Sequence, residues 1–268
     1  MVTRALAVLL LFLFLLPTPG RAAPCGGDFN AFLAAMSREA QAQGVSRDVI
    51  GAAFAGVTLD PAVLAFDRRQ RGTFRNFETY VATRVGAARV KRGQQMLQKH
   101  AALLARVEKQ FGVPKELIVA IWGLESDYGT GDMGKLPVVR TIATMAHDCR
   151  RTELFQGELL AALKILQRGD LTRETMIGAY AGELGQTQFL PSSYIKYGVD
   201  YDGNGHVDLR RSVPDVLAST ANLLKTAGWR IGQPFGEGTP NFQVMREWNR
   251  SEVYRKTMHY FAQQLGAR

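Results

Sequence analysis

Gly112-Val113-Pro114-Lys115-Glu116-Leu117-Ile118-Val119-Ala120-Ile121-Trp122-Gly123-Leu124-Glu125-Ser126 is the stretch on which the fold turns. Proline lacks only an N–H that the first turn of a helix leaves unpaired anyway, so Pro114 reads as a first-turn residue. From there Ile118, Ile121 and Glu125 fall at i, i+3 and i+7, which sets a carboxylate at the end of an otherwise apolar stripe. Gly129, Thr130 and Gly131 follow, so the helix stops soon after the glutamate. A carboxyl on an inward face, where a helix opens onto a glycine-rich loop, is partly desolvated. Desolvation favours the protonated form, as a glycosidic general acid requires. The plainer alternative is an interior glutamate neutralised by Arg150 or Arg151.

Helical periodicity continues on both sides. Asp28 can cap a helix carrying Phe29, Phe32, Leu33 and Met36, and Ser46 a second one carrying Val49, Ile50 and Phe54. Residues Phe74–Gln110 read as one or two long helices, interrupted near Gly86 or Gly93. Further helices are predicted over Thr152–Gln167, Pro191–Tyr197, Val213–Ala227 and Ser251–Leu265, with loops at 127–137, 180–190, 198–212 and 230–245. Alternating strand patterns are scarce, so the expected class is mainly α, with little or no β-structure.

Met1–Arg4 carry one positive charge, Ala5–Leu16 form an apolar run, and Pro17, Pro19 and Gly20 precede the small residues Ala22 and Ala23. Residues 1–23 therefore read as a secretory signal, its apolar core short for a membrane span. The expectation is a soluble periplasmic product, residues 24–268, without a stable membrane anchor. Pro24 suits lipoprotein processing at Cys25 poorly. Cys25 and Cys149 are the only cysteines, an even pair in an exported chain, which predicts a disulfide. Two free thiols or a metal pair are the alternatives, and no CxxC spacing supports metal. The formal charge is +9, or +7 without Arg4 and Arg21. Export excludes nucleic acid as the partner and favours an anionic polymer outside the cytoplasm, such as peptidoglycan.

A second segment, Ala179-Tyr180-Ala181-Gly182-Glu183-Leu184-Gly185-Gln186-Thr187-Gln188-Phe189-Leu190-Pro191-Ser192-Ser193-Tyr194, combines turn glycines with residues suited to a sugar. Gln186 and Gln188 offer amides to hydroxyl and acetamido groups, and Phe189 a ring for the apolar sugar face. By itself it reads more simply as a loop leading into a helix that starts at Pro191. Taken with Gly123-Leu124-Glu125-Ser126, however, it resembles the lytic murein transglycosylases, of the membrane-bound B type in glycoside hydrolase family 103. The likeness runs from about Phe29 to Leu265 and includes Arg150-Arg151-Thr152-Glu153-Leu154-Phe155 and Trp248-Asn249-Arg250-Ser251-Glu252-Val253-Tyr254.

The resemblance implies a lysozyme-like helical catalytic domain over 24–268 and one essential carboxylate, at Glu125. Such enzymes cut the β-1,4 bond between N-acetylmuramic acid and N-acetylglucosamine in peptidoglycan strands without adding water, leaving 1,6-anhydromuramoyl ends. One glutamate serves as acid and then as base, assisted by the substrate's acetamido group, where ordinary glycosidases use two carboxylates. By motif position Ser126, Gln188, Phe189, Asn249 and Tyr254 are substrate-site residues. Arg150 and Arg151 either hold the anionic peptide or lactyl carboxylate or pair structurally. No cofactor is required. A hydrolytic muramidase, with Asp127 or Glu183 activating water, and a non-catalytic wall-binding protein are the alternatives.

Asp200-Tyr201-Asp202-Gly203-Asn204-Gly205-His206-Val207-Asp208 reproduces the opening of an EF-hand loop, with oxygen donors at positions 1, 3, 5 and 9, glycine at 6 and His206 at 7. Position 12 is Arg211, where a bidentate carboxylate belongs. Asp215 lies a turn beyond and serves if the loop is longer, as in some relatives of the resembled family. Structural calcium or sodium is the expectation on that basis. The alternative is an Asn/Gly/Asp-rich turn held by its own side chains.

Overall fold

The computed structural model describes residues 23–69 and 76–267; the signal segment 1–22, most of the predicted 1–23 leader, and the start of the helix expected from Phe74 lie outside them. Among the described residues the chain forms thirteen α-helices and one two-stranded ribbon. The helices are α1 (Phe29–Ala42), α2 (Arg47–Phe54), α3 (Pro61–Arg69), α4 (Phe77–Arg84), α5 (Ala87–Lys99), α6 (Ala101–Phe111) and α7 (Lys115–Ser126). They continue with α8 (Val138–His147), α9 (Thr152–Arg168), α10 (Pro191–Tyr197), α11 (Val213–Thr226), α12 (Pro240–Val244) and α13 (Glu252–Gly266).

The caps behave as the side chains dictate. Asp28 accepts the Ala31 N–H at 2.7 Å and Ser46 the Val49 N–H at 3.3 Å, and Ser251 caps α13 through the Tyr254 N–H. Gly112, at φ 74°, ends α6 in the left-handed conformation and Pro114 stands just before the first residue of α7. α7 is more deeply set than a stripe predicts. Leu117 to Leu124 are all buried, so this helix is apolar all round and forms the centre of the fold. α5, α6, α11 and α13 pack around it.

The run Phe74–Gln110 contains three helices where one or two are expected, with breaks at Gly86 and His100. Gly93 is no break. A Cβ there would sit 2.5 Å from the Tyr128 hydroxyl, and one on Gly123 2.8 Å from the same ring, so these glycines admit Tyr128 between α5 and α7. α3, α8 and α12 occupy stretches without a predicted helix. In α8 the β-branched Val138, Val139, Thr141, Ile142 and Thr144 weaken local propensity, and packing against α9 supplies the stability.

The ribbon pairs β1 (Leu136–Pro137) with β2 (Ile177–Gly178), antiparallel, and ties the loop after α7 to the loop before α10. Cys25 and Cys149 form a disulfide spanning 124 residues. No described helix is long and apolar enough to cross a membrane.

Candidate active site

A cleft of about 360 Å³ opens where the end of α7 meets the 183–190 loop and the turn before α13. Glu125, Glu183, Thr187, Gln188, Phe189, Trp248 and Asn249 are among the residues that line it. Glu125 occupies the next-to-last position of α7, and Asp127 then turns left-handed at φ 50° and ends the helix.

Both donors to Glu125 come from far along the chain. Trp248 Nε1–H donates to Oε1 at 2.9 Å, and the Tyr254 hydroxyl donates to the same oxygen at 2.5 Å. Oε2 has no hydrogen-bond partner among the described residues, and it is not one of the buried unpaired atoms. The anchored oxygen fixes the carboxyl and leaves the other for chemistry. Burial pushes the Glu125 carboxyl up, outweighing the Tyr254 and Trp248 hydrogen bonds and the Arg84 guanidinium, which favour the charged form. The negative charge of Glu183 adds to the rise. Burial, with Glu125 beside it, drives the Tyr254 hydroxyl well above its ordinary range, so it remains a donor.

The ion pair with Arg150 or Arg151, weighed above as the plainer account of Glu125, is absent from the structure. Both guanidiniums pair with the buried Asp67. Neither lines the cleft, although Arg151 acts on Glu183 electrostatically. Asp127 faces away and is held by Arg89 at 3.1 Å and by Arg92. Burial opposes its charge, but these bonds prevail and keep its carboxyl below the usual range.

The other motif residues divide. Gln188, Phe189 and Asn249 line the cleft, Phe189 setting its ring edge-on to Trp248 with centroids 5.4 Å apart. Ser126 does not: it is buried, and its Oγ accepts the Gly129 N–H at 3.0 Å, bracing the turn after α7. Gln186 is buried as a strut, accepting from Trp122 Nε1 at 2.7 Å and donating to the Arg210 carbonyl at 2.9 Å. Ser192 binds the buried Glu158 through N–H and hydroxyl at 2.8 and 2.7 Å, which seats α10 on α9. Gly185, at φ 74°, allows the loop to run against Leu209, whose carbonyl oxygen would lie 2.3 Å from a Cβ. Trp248, the missed donor, lies in a motif noticed in the sequence, but nothing local marked its ring as the partner of Glu125.

Where the 198–212 loop meets the first turn of α11, Asp200, Asp202 and Asp215 bring carboxylate oxygens within 4.8 Å of one another. Asp215 is fully buried and accepts N–H groups from Tyr201 (2.8 Å), Asp202 (3.3 Å) and Asp208 (2.9 Å). Burial raises its carboxyl against those bonds. Asn204 Oδ1 accepts the His206 N–H, and the exposed His206 ring leans towards Asp170 at 3.9 Å, so His206 can offer the cluster only its carbonyl. An all-oxygen set with a buried carboxylate fits a hard cation.

Residues 28–238 match the family described as the transglycosylase SLT domain. The chain belongs to that family. Membrane-bound lytic murein transglycosylase B of Escherichia coli (strain K12) is 37% identical to this SLT-domain chain over 144 residues, 53% of this chain and 39% of that protein. The match thus spans about two fifths of the curated relative's length. SltB3 from Pseudomonas aeruginosa, crystallised with NAG-anhNAM-pentapeptide, superimposes with a TM-score of 0.83 at 34% identity, over 90% of this chain and 80% of that one. The E. coli lytic transglycosylase Slt35 in complex with calcium gives 0.77 at 25% identity, over 91% and 96%. The fold is accordingly the lysozyme-like one of lytic transglycosylases, as the sequence motifs implied.

Proposed function

We propose that this SLT-domain chain is a lytic transglycosylase acting on peptidoglycan strands in the periplasm. The observation that carries the reading is Glu125: a desolvated carboxyl at a cleft, anchored through Oε1 by Trp248 and Tyr254 and open at Oε2. Its raised pKa suits a group that begins the cycle protonated. Glu125 donates its proton to the glycosidic oxygen as the bond to the muramoyl anomeric carbon breaks. The carboxylate then takes the proton of the muramoyl 6-hydroxyl, whose oxygen closes on that carbon. The donors at Oε1 hold the carboxyl in place and stabilise its charged form between the two steps. Family membership supports this chemistry, as does the complex of SltB3 with a NAG-anhNAM-pentapeptide.

Trp248 supplies an apolar ring for sugar, backed by the buried Phe189, with Gln188 and Asn249 as polar partners on the same wall. Two guanidiniums, Arg150 and Arg151, share one carboxylate at Asp67, and the positive charge left over suits an anionic peptide stem or lactyl group. The Cys25–Cys149 disulfide supports an oxidising, exported location. Asp200, Asp202, Asn204 and Asp215, with the His206 carbonyl, would hold calcium as a structural ion, a reading supported by the Slt35 calcium complex. No catalytic step needs it.

The test is mass spectrometry of products from purified sacculi. Anhydromuramoyl ends are expected from the native protein and none above background from Glu125→Gln. Dominant reducing ends, or full activity in the variant, would sink the reading.

A further inference from the structure

The cleft contains a second carboxylate arranged like the first. Glu183 stands on the loop between β2 and α10, and that loop is tied to itself. The Ala179 N–H donates to the Glu183 carbonyl at 2.9 Å, and Leu184 and Phe189 exchange hydrogen bonds of 2.7 and 3.0 Å. Glu183 Oε2 accepts the Ala181 N–H at 3.0 Å. Its Oε1 has no hydrogen-bond partner among the described residues and is not one of the buried unpaired atoms, while the residue lines the cleft with Glu125. Each of the two glutamates therefore has one oxygen anchored by protein and one left to a ligand. The described lining includes Glu247 but no lysine or arginine, so this wall offers acceptors. An N-acetylated glycan brings donors: hydroxyls and acetamido N–H groups.

We propose that Glu183 is a second functional carboxylate of the site, its Oε1 accepting a hydrogen bond from the acetamido N–H of the muramoyl unit being cleaved. This rests on the lytic reading above. In the first step the bond between the anomeric carbon and the leaving oxygen breaks. Its electron pair stays on that oxygen, which takes the Glu125 proton, while the acetamido carbonyl oxygen bonds to the anomeric carbon. Positive charge then spreads onto the acetamido nitrogen, and a carboxylate holding its N–H stabilises that charge. In the second step the 6-hydroxyl oxygen displaces the acetamido oxygen and its proton passes to Glu125. Water is not consumed, and Glu183 neither gives nor takes a proton in either step. One oxygen of Glu183 is already occupied by the loop, which fixes the direction of the other. Burial raises the Glu183 carboxyl, and the N–H groups of Glu183 and Ala181 with the Arg151 guanidinium oppose that rise in favour of the charged form.

The experiment compares native protein with Glu183→Gln, whose amide oxygen can still accept the Ala181 N–H and so preserve the loop. Turnover and KM on a soluble glycan fragment are measured across pH, with product ends identified and melting temperatures recorded. Turnover is expected to fall roughly ten- to a hundredfold, as for loss of a charge-assisted hydrogen bond, with KM and melting temperature little changed. The basic limb of the profile moves to lower pH, because the charge that helps Glu125 keep its proton is gone. Native turnover with the limb in place would overturn the proposal. Reducing ends from the native protein would instead overturn the lytic reading, whereas anhydro ends with an unaffected variant remove only the role of Glu183.

Discussion

Replacing Tyr254 by Phe removes the hydroxyl that donates to Glu125 and keeps the aromatic ring. The ring stays buried, Trp248 still donates to Glu125 Oε1 at 2.9 Å, and the lost hydroxyl is the one at 2.5 Å. A hydrogen bond to a charged group contributes about 1.5–3 kcal/mol. At about 1.4 kcal/mol per pH unit, that is about one to two units. The sign follows from what the bond favours. It stabilises the carboxylate, so without it burial acts less opposed and Glu125 holds its proton to higher pH. The basic limb of kcat/KM should therefore move upward by that interval, whatever happens to its height. Stability gives a second readout. Glu125 is already raised in the folded state, so its protonation supports the fold fully below the unfolded value, and that support is lost as pH rises through the folded one. In acid, where Glu125 is protonated in both proteins, Tyr254→Phe loses an ordinary hydrogen bond, about 1 kcal/mol. In alkali a buried carboxylate lacks a donor, and the gap between variant and native should widen. Rate profiles from pH 4 to 9, with melts at both ends, measure both effects. A limb that stays or moves down, with an equal stability gap at both extremes, would refute the reasoning.

Other outcomes can be checked the same way. Replacing Cys25 and Cys149 together by serine frees a 124-residue loop and should lower stability by about 2–5 kcal/mol, read from urea midpoints. Gly123→Ala places a methyl 2.8 Å from the Tyr128 ring, an overpacking cost of about 1–3 kcal/mol against a helix-propensity gain of about 1. Melting temperature should fall, and activity with it, because the displaced turn begins right after Glu125; a stabilised variant contradicts this. Asp215→Ala strips three N–H groups of their acceptor and should cost about 2–4 kcal/mol. It should also abolish any calcium-dependent rise in melting temperature, and a rise that persists would remove the ion from this loop.

What the sequence made legible is what local chemistry decides. The caps at Asp28 and Ser46, the start of α7 beside Pro114 and the inward set of Glu125 all follow from a few neighbouring side chains. α8 was hidden because its β-branched residues disfavour an isolated helix, and only α9 makes the segment worth folding that way. Gly93 resembled a helix break because the ring that needs its space comes from Tyr128, 35 positions away. Gln186 had the chemistry of a sugar ligand, yet Trp122 and the Arg210 carbonyl take both ends of its amide. Motif resemblance brought Tyr254 to the site, whereas the hydrogen bond from Trp248 could be seen only once α7 and α13 were packed together.

The two donors to Glu125 lie 123 and 129 residues downstream of it. Until the turn at Trp248 and the first turn of α13 have docked, the glutamate is a carboxyl without a fixed direction. Assembly of this centre therefore requires segments far apart in the sequence to pack together. A polypeptide threaded across a membrane from its N-terminus would deliver Glu125 before Trp248 and Tyr254, and its carboxyl would lack both donors while the chain was still emerging. On the lytic reading, the centre is complete only when the first turn of α13 is seated against α7.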